Sequence, residues 1–265
     1  MHQILYHVGF FTLRSYGLVI ILAIFLGAQV AVTMAHFTAK QFEKHIVPLV
    51  YSVLFAAIAG ARFWQVFFFE PGFYFTHPAE IIAIWHGGLS IQGGIIGGIL
   101  AGIWYCRRHR LPFWELADLL APAIILGQGI GRIACLLNGD AFGTPTSSGF
   151  GLVYPPGTDA YATFGSQPLW PAEVWEGQLD FIIFAVIFYL SRKKLPQGVL
   201  FLLYNVLYSF GRFFLEYLRG DSPRFLGWTA AQWTSIGVVF ISMILILWRV
   251  MMHRKNIRNL EPIVP

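Results

Sequence analysis

Seven runs of mostly apolar residues, each close to the length of about 20 needed to cross a bilayer core, constrain this chain most. They lie at approximately 17–36, 46–69, 88–106, 117–137, 172–191, 198–218 and 229–250. Only 12% of the 265 residues are charged and 57% are hydrophobic, whereas a soluble domain carries about 25% charge. With a mean hydropathy of +0.63, disorder, a coiled coil and an ordinary soluble enzyme are excluded. The pattern predicts an all-α membrane protein: one transmembrane domain over 1–265, a bundle of about seven helices. No basic segment precedes the first run and no small-residue cleavage site closely follows it, so it reads as a retained helix in a chain whose mature form begins at or near Met1. Cys106 and Cys135 lie in different runs without CxxC spacing, which suggests neither a disulfide framework nor a metal site, and no cofactor is expected.

Lysine and arginine set the expected orientation, because they are retained on the cytoplasmic side. Twelve of the 18 basic residues follow runs one, three, five and seven: Lys40 and Lys44; Arg107, Arg108 and Arg110; Arg192, Lys193 and Lys194; Arg249, Arg254, Lys255 and Arg258. Glu70 to Trp85 and Asn138 to Trp170 contain none. The N-terminus is therefore expected outside, the C-terminus in the cytoplasm, and the 138–170 segment as a small outer-face loop domain. The net charge of +5 belongs to these anchors and to membrane lipids, not to nucleic acid.

Arg62, Arg132 and Arg212 fall inside apolar runs, where an arginine costs at least about 2.5 kcal/mol unless it faces protein or water. In this topology all three come late in an outward-running helix, so they are expected in the outer half of the bilayer. Tyr16, His86 and Gln92 are expected at the same level. Guanidinium forks bind phosphate oxygens bidentately, so the set points to a lipid-phosphate site. Asn205, Tyr208, Arg212, Glu216 and Arg219 are spaced 3, 4, 4 and 3 apart and form one helical stripe. Glu216 can pair there with Arg212 or Arg219. Glycines crowd two further places, 87–98 around His86 and Gln92, and 127–143 around Arg132, where broken or closely packed helices would line a cavity.

Several motifs in order carry a resemblance: Arg14–Gly17 (RSYG), GAR at 60–62, AD at 117–118, GRIACLLNGDAFG at 131–143, PAEVWE at 171–176 and YSFGRFFLEYLRGD at 208–221. Together they resemble the prolipoprotein diacylglyceryl transferase family over nearly the whole chain. The resemblance implies a multi-pass enzyme of the bacterial plasma membrane with its active site on the outer side. Such an enzyme moves the diacylglyceryl group of phosphatidylglycerol to the lipobox cysteine in the signal peptide of a prelipoprotein, releasing glycerol 1-phosphate. By position, Arg132 and Arg212 match the family's essential arginines and Tyr16 its essential tyrosine. Asn138, Gly143 and Glu216 match further members. Asp140 stands where glutamate is usual.

Two positions depart from the family. Gln92 in Ser90-Ile91-Gln92-Gly93-Gly94 replaces its essential histidine, and Cys135 replaces an asparagine. Glutamine is no base at neutral pH. His86 lies six residues upstream, about 240° away on a continuous helix, so it could substitute only where the glycines break that helix. The expected assignment makes Arg132, Arg212, Tyr16, His86 and Gln92 catalytic. Arg62, Asn138, Asp140, Gly143, Glu216 and Arg219 are expected to bind substrate. Competing readings are a catalytically divergent lipid-binding paralogue and, against the one-sided polar cluster and the lack of repeats, an anion or lipid transporter.

Overall fold

The computed structural model describes residues 3–8 and 11–260; Met1, the expected start of the mature chain, lies outside the described residues. In chain order the elements are β1 (Ile4–Val8), β2 (Phe11–Arg14), α1 (Ser15–Thr38), α2 (Glu43–Trp64), the short α3 (Pro71–Thr76), α4 (Ile91–Arg108), α5 (Phe113–Asn138), the short α6 (Asp159–Phe164), α7 (Ala172–Leu190), α8 (Val199–Leu215), β3 (Arg224–Phe225), β4 (Trp228–Thr229) and α9 (Ala230–Leu260). Each of the seven apolar runs forms a helix. Two antiparallel hairpins, β1–β2 and β3–β4, were not anticipated.

Five stretches are long and apolar enough to cross a membrane: Ser15–Thr38, Lys40–Phe69, Phe113–Asn138, Val199–Leu218 and Ala230–Lys255. The chain is accordingly a multi-pass membrane protein. The other two helices fall short for chemical reasons. α4 starts at Ile91 and is rich in glycine, and α7 carries Glu173, Glu176 and Asp180. Large apolar side chains such as Ile21, Phe25, Phe55, Leu100, Phe240 and Leu247 stand 58–69% exposed, a surface that requires lipid in place of water.

The packing falls into two compact units: residues up to Ala31 with those from Ala117 onward, and Val32–Leu116. In the second unit α2 lies against α4. A Cβ on Gly60 would stand 3.1 Å from the Cα of Gly97, so the two backbones touch, the usual route to tight helix pairing in lipid. In the first unit, Ala121 and Ile125 of α5, Ile183 and Ile187 of α7, and Leu200 and Tyr204 of α8 form one buried core. Asp118 fixes the start of α8 by accepting the N–H groups of Gly198 at 2.6 Å and Phe201 at 2.8 Å, which satisfies donors that the first helical turn leaves free.

The segment between α5 and α7 has its own small core of Phe142, Tyr154, Ala160 and Leu169. Short backbone pairings tie it together: Leu152 N–H donates to Leu169 O at 2.8 Å and Thr144 N–H to Leu218 O at 2.8 Å. Tyr154 donates its hydroxyl to the buried carboxylate of Glu173 at the start of α7. Burial, and then that carboxylate, push the Tyr154 phenol above its ordinary range.

Candidate active site

Three helices of the first unit deliver charge to one buried point. α5 carries Arg132, α8 carries Arg212, and α7 places Glu176 between them. Arg132 Nη2 donates to Glu176 Oε1, and Arg212 Nη1 donates to Glu176 Oε2 at 2.7 Å. Arg219 Nη1 stands 3.6 Å from the same Oε2. The Glu176 side chain is 2% exposed, while those of Arg132 and Arg212 keep 19% and 15%. A lone carboxylate at that depth would be costly, and so would a lone guanidinium; the bridge makes both tolerable. A guanidinium has five N–H donors in a rigid fork, so the bridge orients both arginines and leaves donors for a further anion.

Glu216 forms the expected i,i+4 ion pair with Arg212, at 2.8 Å. The stripe holds to that point and then fails for Arg219. α8 ends at Leu215, residues 216–218 form a tighter 3-10 turn, and Arg219 is extended. Its Nε and Nη2 grip Asp221 at 2.8 and 2.6 Å. Arg219 is thus held by Asp221 through Nε and Nη2, while its Nη1 is turned toward Glu176 without a hydrogen-bond partner among the described residues.

Tyr16, 39% exposed at the start of α1, lies within electrostatic reach of Arg132, Cys135 and Asp140. Asn138 closes α5, donating from Nδ2 to Asp140 Oδ2 at 2.9 Å and accepting on its backbone oxygen from Gln3 Nε2 at 2.6 Å. Asn138 and Asp140 are thereby fixed to one another, with Asp140 within electrostatic reach of Tyr16. Gly143 has a packing role that the motif did not announce. A Cβ there would lie 2.7 Å from Trp170 Cβ and 3.0 Å from Leu218 O, in a backbone crossing where Gly143 N–H donates to Trp170 O at 3.0 Å. The backbones at Trp170 and Leu218 leave no room there for a side chain.

Arg62, His86 and Gln92 belong to the second unit. Arg62 departs most from its expected role. It is buried, and it donates from Nε to Ile81 O at 2.9 Å and from Nη1 to Gly87 O and Gly88 O, both at 2.6 Å, and to Tyr74 Oη at 3.2 Å. Its Nη2 serves Glu80 O and Ala83 O. The guanidinium is spent on carbonyls of the 80–88 loop, not held for a phosphate. That loop carries His86, whose Nδ1 lies 2.8 Å from Glu80 Oε2. The glycine break is present: Gly87 and Gly88 have φ of 95° and 71°, and α4 begins only at Ile91. Gln92, exposed in the first turn of α4, accepts from Ser90 Oγ at 2.7 Å.

Sequence reasoning missed Glu176, Glu173, Asp180 and Asp221. The first three are at most 1% exposed and recur at i, i+3 and i+7 along α7. Three acids on one face of an apolar helix was the available signal.

The family model described as prolipoprotein diacylglyceryl transferase matches residues 3–248. Among curated relatives, a phosphatidylglycerol–prolipoprotein diacylglyceryl transferase of Staphylococcus aureus is 39% identical over 248 residues, covering 92% of this chain and 88% of that protein. One from a Nostoc species is 34% identical over 254 residues, with the same shares covered. A Listeria innocua protein of that name is 33% identical over 244 residues, covering 91% and 87%. A partly exposed arginine pair held by one buried carboxylate, in a multi-pass chain matched along nearly its full length, has one consistent assignment: the chain belongs to the prolipoprotein diacylglyceryl transferase family.

Proposed function

We propose that this protein transfers the diacylglyceryl group of phosphatidylglycerol to the lipobox cysteine thiol of prelipoproteins, in the bacterial inner membrane, with the reaction at the periplasmic side. Beyond family membership, the observation that carries this reading is the shared grip of Arg132 and Arg212 on Glu176. Two forks from separate helices, already oriented by a buried carboxylate, make a receptor for a phosphodiester headgroup.

The chemistry follows from that receptor. The peptide thiolate attacks the glyceryl carbon that bears the phosphate, the C–O bond breaks with its electron pair going to the phosphate oxygen, and glycerol 1-phosphate leaves. Charge accumulates on the departing phosphate, where Arg132 and Arg212 stabilise it through preorganised donors. Tyr16, beside Asn138 and Asp140, supplies a hydrogen bond to the headgroup or the incoming chain. The thiol, with a free pKa of about 8.5, must lose its proton. The acceptor, assigned from the sequence motifs, is the lipid phosphate or His86, with Gln92 as a hydrogen-bonding residue at the position of the family's histidine. In the orientation proposed from the basic residues, N-terminus outside and C-terminus cytoplasmic, the arginine-bearing ends of α5 and α8 face the outer leaflet.

The deciding experiment incubates the purified protein with phosphatidylglycerol labelled in its glyceryl carbons and a lipobox peptide. A thioether-linked labelled diacylglyceryl peptide, lost on alkylating the peptide cysteine, is the expected product. Gln92 favours one other reading, a catalytically silent lipid-binding paralogue, and that reading requires bound label with no thioether.

A further inference from the structure

Within the second unit, the chain between α2 and α4 folds back along the span it has just left. The apolar stretch that contains α2 runs on to Phe69, yet Ser90 N–H donates to Ala61 O at 3.1 Å. Ala61 lies eight residues before Phe69, about 12 Å along a helix axis, so the connection ends well below the end of the span. α4 starts one residue later, at Ile91. Residues 80–90 therefore lay irregular backbone beside the last turns of a membrane-spanning helix.

Irregular backbone at membrane depth is tolerated only where protein or a water-filled cavity meets its polar groups. Here protein meets them. The buried Arg62 guanidinium donates to the carbonyls of Glu80, Ile81, Ala83, Gly87 and Gly88, and those of Ile82 and Ile84 accept from Ile84 and Gly87 N–H at 2.9 and 3.2 Å. Gly88 closes the clamp as only glycine can: its φ is 71°, and a Cβ there would stand 2.7 Å from Arg62 Nη1. What the loop turns outward is apolar. Ile82, Trp85 and Ile91 are 74–77% exposed, while its ionisable pair, Glu80 and His86, closes on itself at 2.8 Å. No lysine or arginine occurs between Arg62 and Arg107. Such a surface is stable against acyl chains and costly against water.

We propose that residues 80–91 form a re-entrant loop in contact with lipid: acyl chains of the surrounding leaflet cover Ile82, Trp85 and Ile91, and Arg62 is the clamp that makes this seating possible. One guanidinium has five N–H donors, enough to take the loop's carbonyls out of contact with hydrocarbon. Trp85, packed edge-on to His86, is the residue type that seats at the headgroup boundary. Arg62 in this role touches no substrate, and the inference does not depend on the transfer reaction.

A nitroxide label on Ile82→Cys tests this, in the full chain with Cys106 and Cys135 replaced by alanine and reconstituted into vesicles of phosphatidylglycerol and phosphatidylcholine. Collision rates with oxygen, which concentrates in lipid, and with a water-soluble nickel chelate are compared with those of two reference labels. Phe63→Cys on α2 reports lipid at the level of the loop, and Lys194→Cys, on the exposed turn after α7, reports water. The oxygen-to-nickel ratio at position 82 is expected within about twofold of the Phe63 reference and at least about threefold above the Lys194 one. Arg62→Gln is expected to bring it down to the Lys194 value. Gly88→Ala, which presses a methyl group on the guanidinium and removes no charge, is expected to do the same, and it decides the matter where Arg62→Gln does not fold. The proposal is overturned if the label at 82 reads as water, if it is shielded from both colliders as under a second copy or a peptide, or if the folded variants leave the ratio unchanged.

Discussion

Replacing Glu176 by glutamine keeps the side chain's shape and removes its charge, which isolates what the bridge contributes. The carboxylate accepts from Arg132 on one oxygen and from Arg212, at 2.7 Å, on the other. Hydrogen bonds to charged groups contribute about 1.5–3 kcal/mol each. Glutamine offers one oxygen as acceptor, and its amide nitrogen faces a cation, so one of the two bonds becomes a donor–donor contact. The arginines are 19% and 15% exposed, which lets water recover part of the loss. A net cost of about 2–4 kcal/mol follows, at or below the usual penalty for breaking a buried pair. Some of it appears as stability and some as misplacement of the forks. If half or more is felt in the transition state, kcat/KM falls about 10- to 100-fold. Transfer is measured on detergent-purified protein, with the folded fraction fixed independently by size exclusion and thermal unfolding. Transfer within threefold of the parent in Glu176→Gln, while Arg132→Ala and Arg212→Ala abolish it, would refute the claim that Glu176 orients both arginines.

Arg132→Lys keeps the charge and loses the fork, so kcat/KM for transfer should fall about 100-fold with little change in melting temperature. Gly143→Ala drives a methyl group into Trp170 and the Leu218 carbonyl and should cost about 1–3 kcal/mol, read as earlier thermal unfolding. Tyr154→Phe leaves the buried Glu173 without its donor and should destabilise by about 1–3 kcal/mol. Because the folded Tyr154 phenol titrates above its unfolded value of about 10, its contribution is complete below that pH and is lost as pH rises through the folded value; unfolding scans from neutral to alkaline pH check this by comparing the parent with Tyr154→Phe. For the proton acceptor, His86→Ala should slow transfer at neutral pH; a rate rise in Gln92→His with none lost in His86→Ala would remove His86 from the mechanism.

The helices were legible because a bilayer imposes a length and a polarity that a sequence must print openly. The i,i+4 pair of Arg212 and Glu216 was legible because helix geometry converts spacing into contact. The Asp221 partner of Arg219 was not legible by the same rule, since nothing local announces that α8 tightens after Leu215 and turns Arg219 onto Asp221. Arg62 was misread for another reason. Its acceptors are carbonyls of Ile81, Gly87 and Gly88, and backbone acceptors leave no trace in residue identity. Glu176 meets Arg132 across 44 positions and Arg212 across 36, a pairing set by how α5, α7 and α8 pack.

That pairing also explains how the arginine pair proposed as catalytic coexists with a membrane fold. Two cations placed in apolar helices would oppose insertion unless the charge is met on folding, yet a fully satisfied pair could not bind phosphate. Glu176 resolves the conflict by its depth: it sits behind the guanidiniums at 2% exposure while they keep 19% and 15%, so neutralisation comes from the buried side and recognition from the open one. Glu216 repeats the arrangement for Arg212 from its own helix. An arginine in such a setting is held firmly enough to act without reorganising when the phosphate arrives, which is the condition for stabilising a leaving group electrostatically.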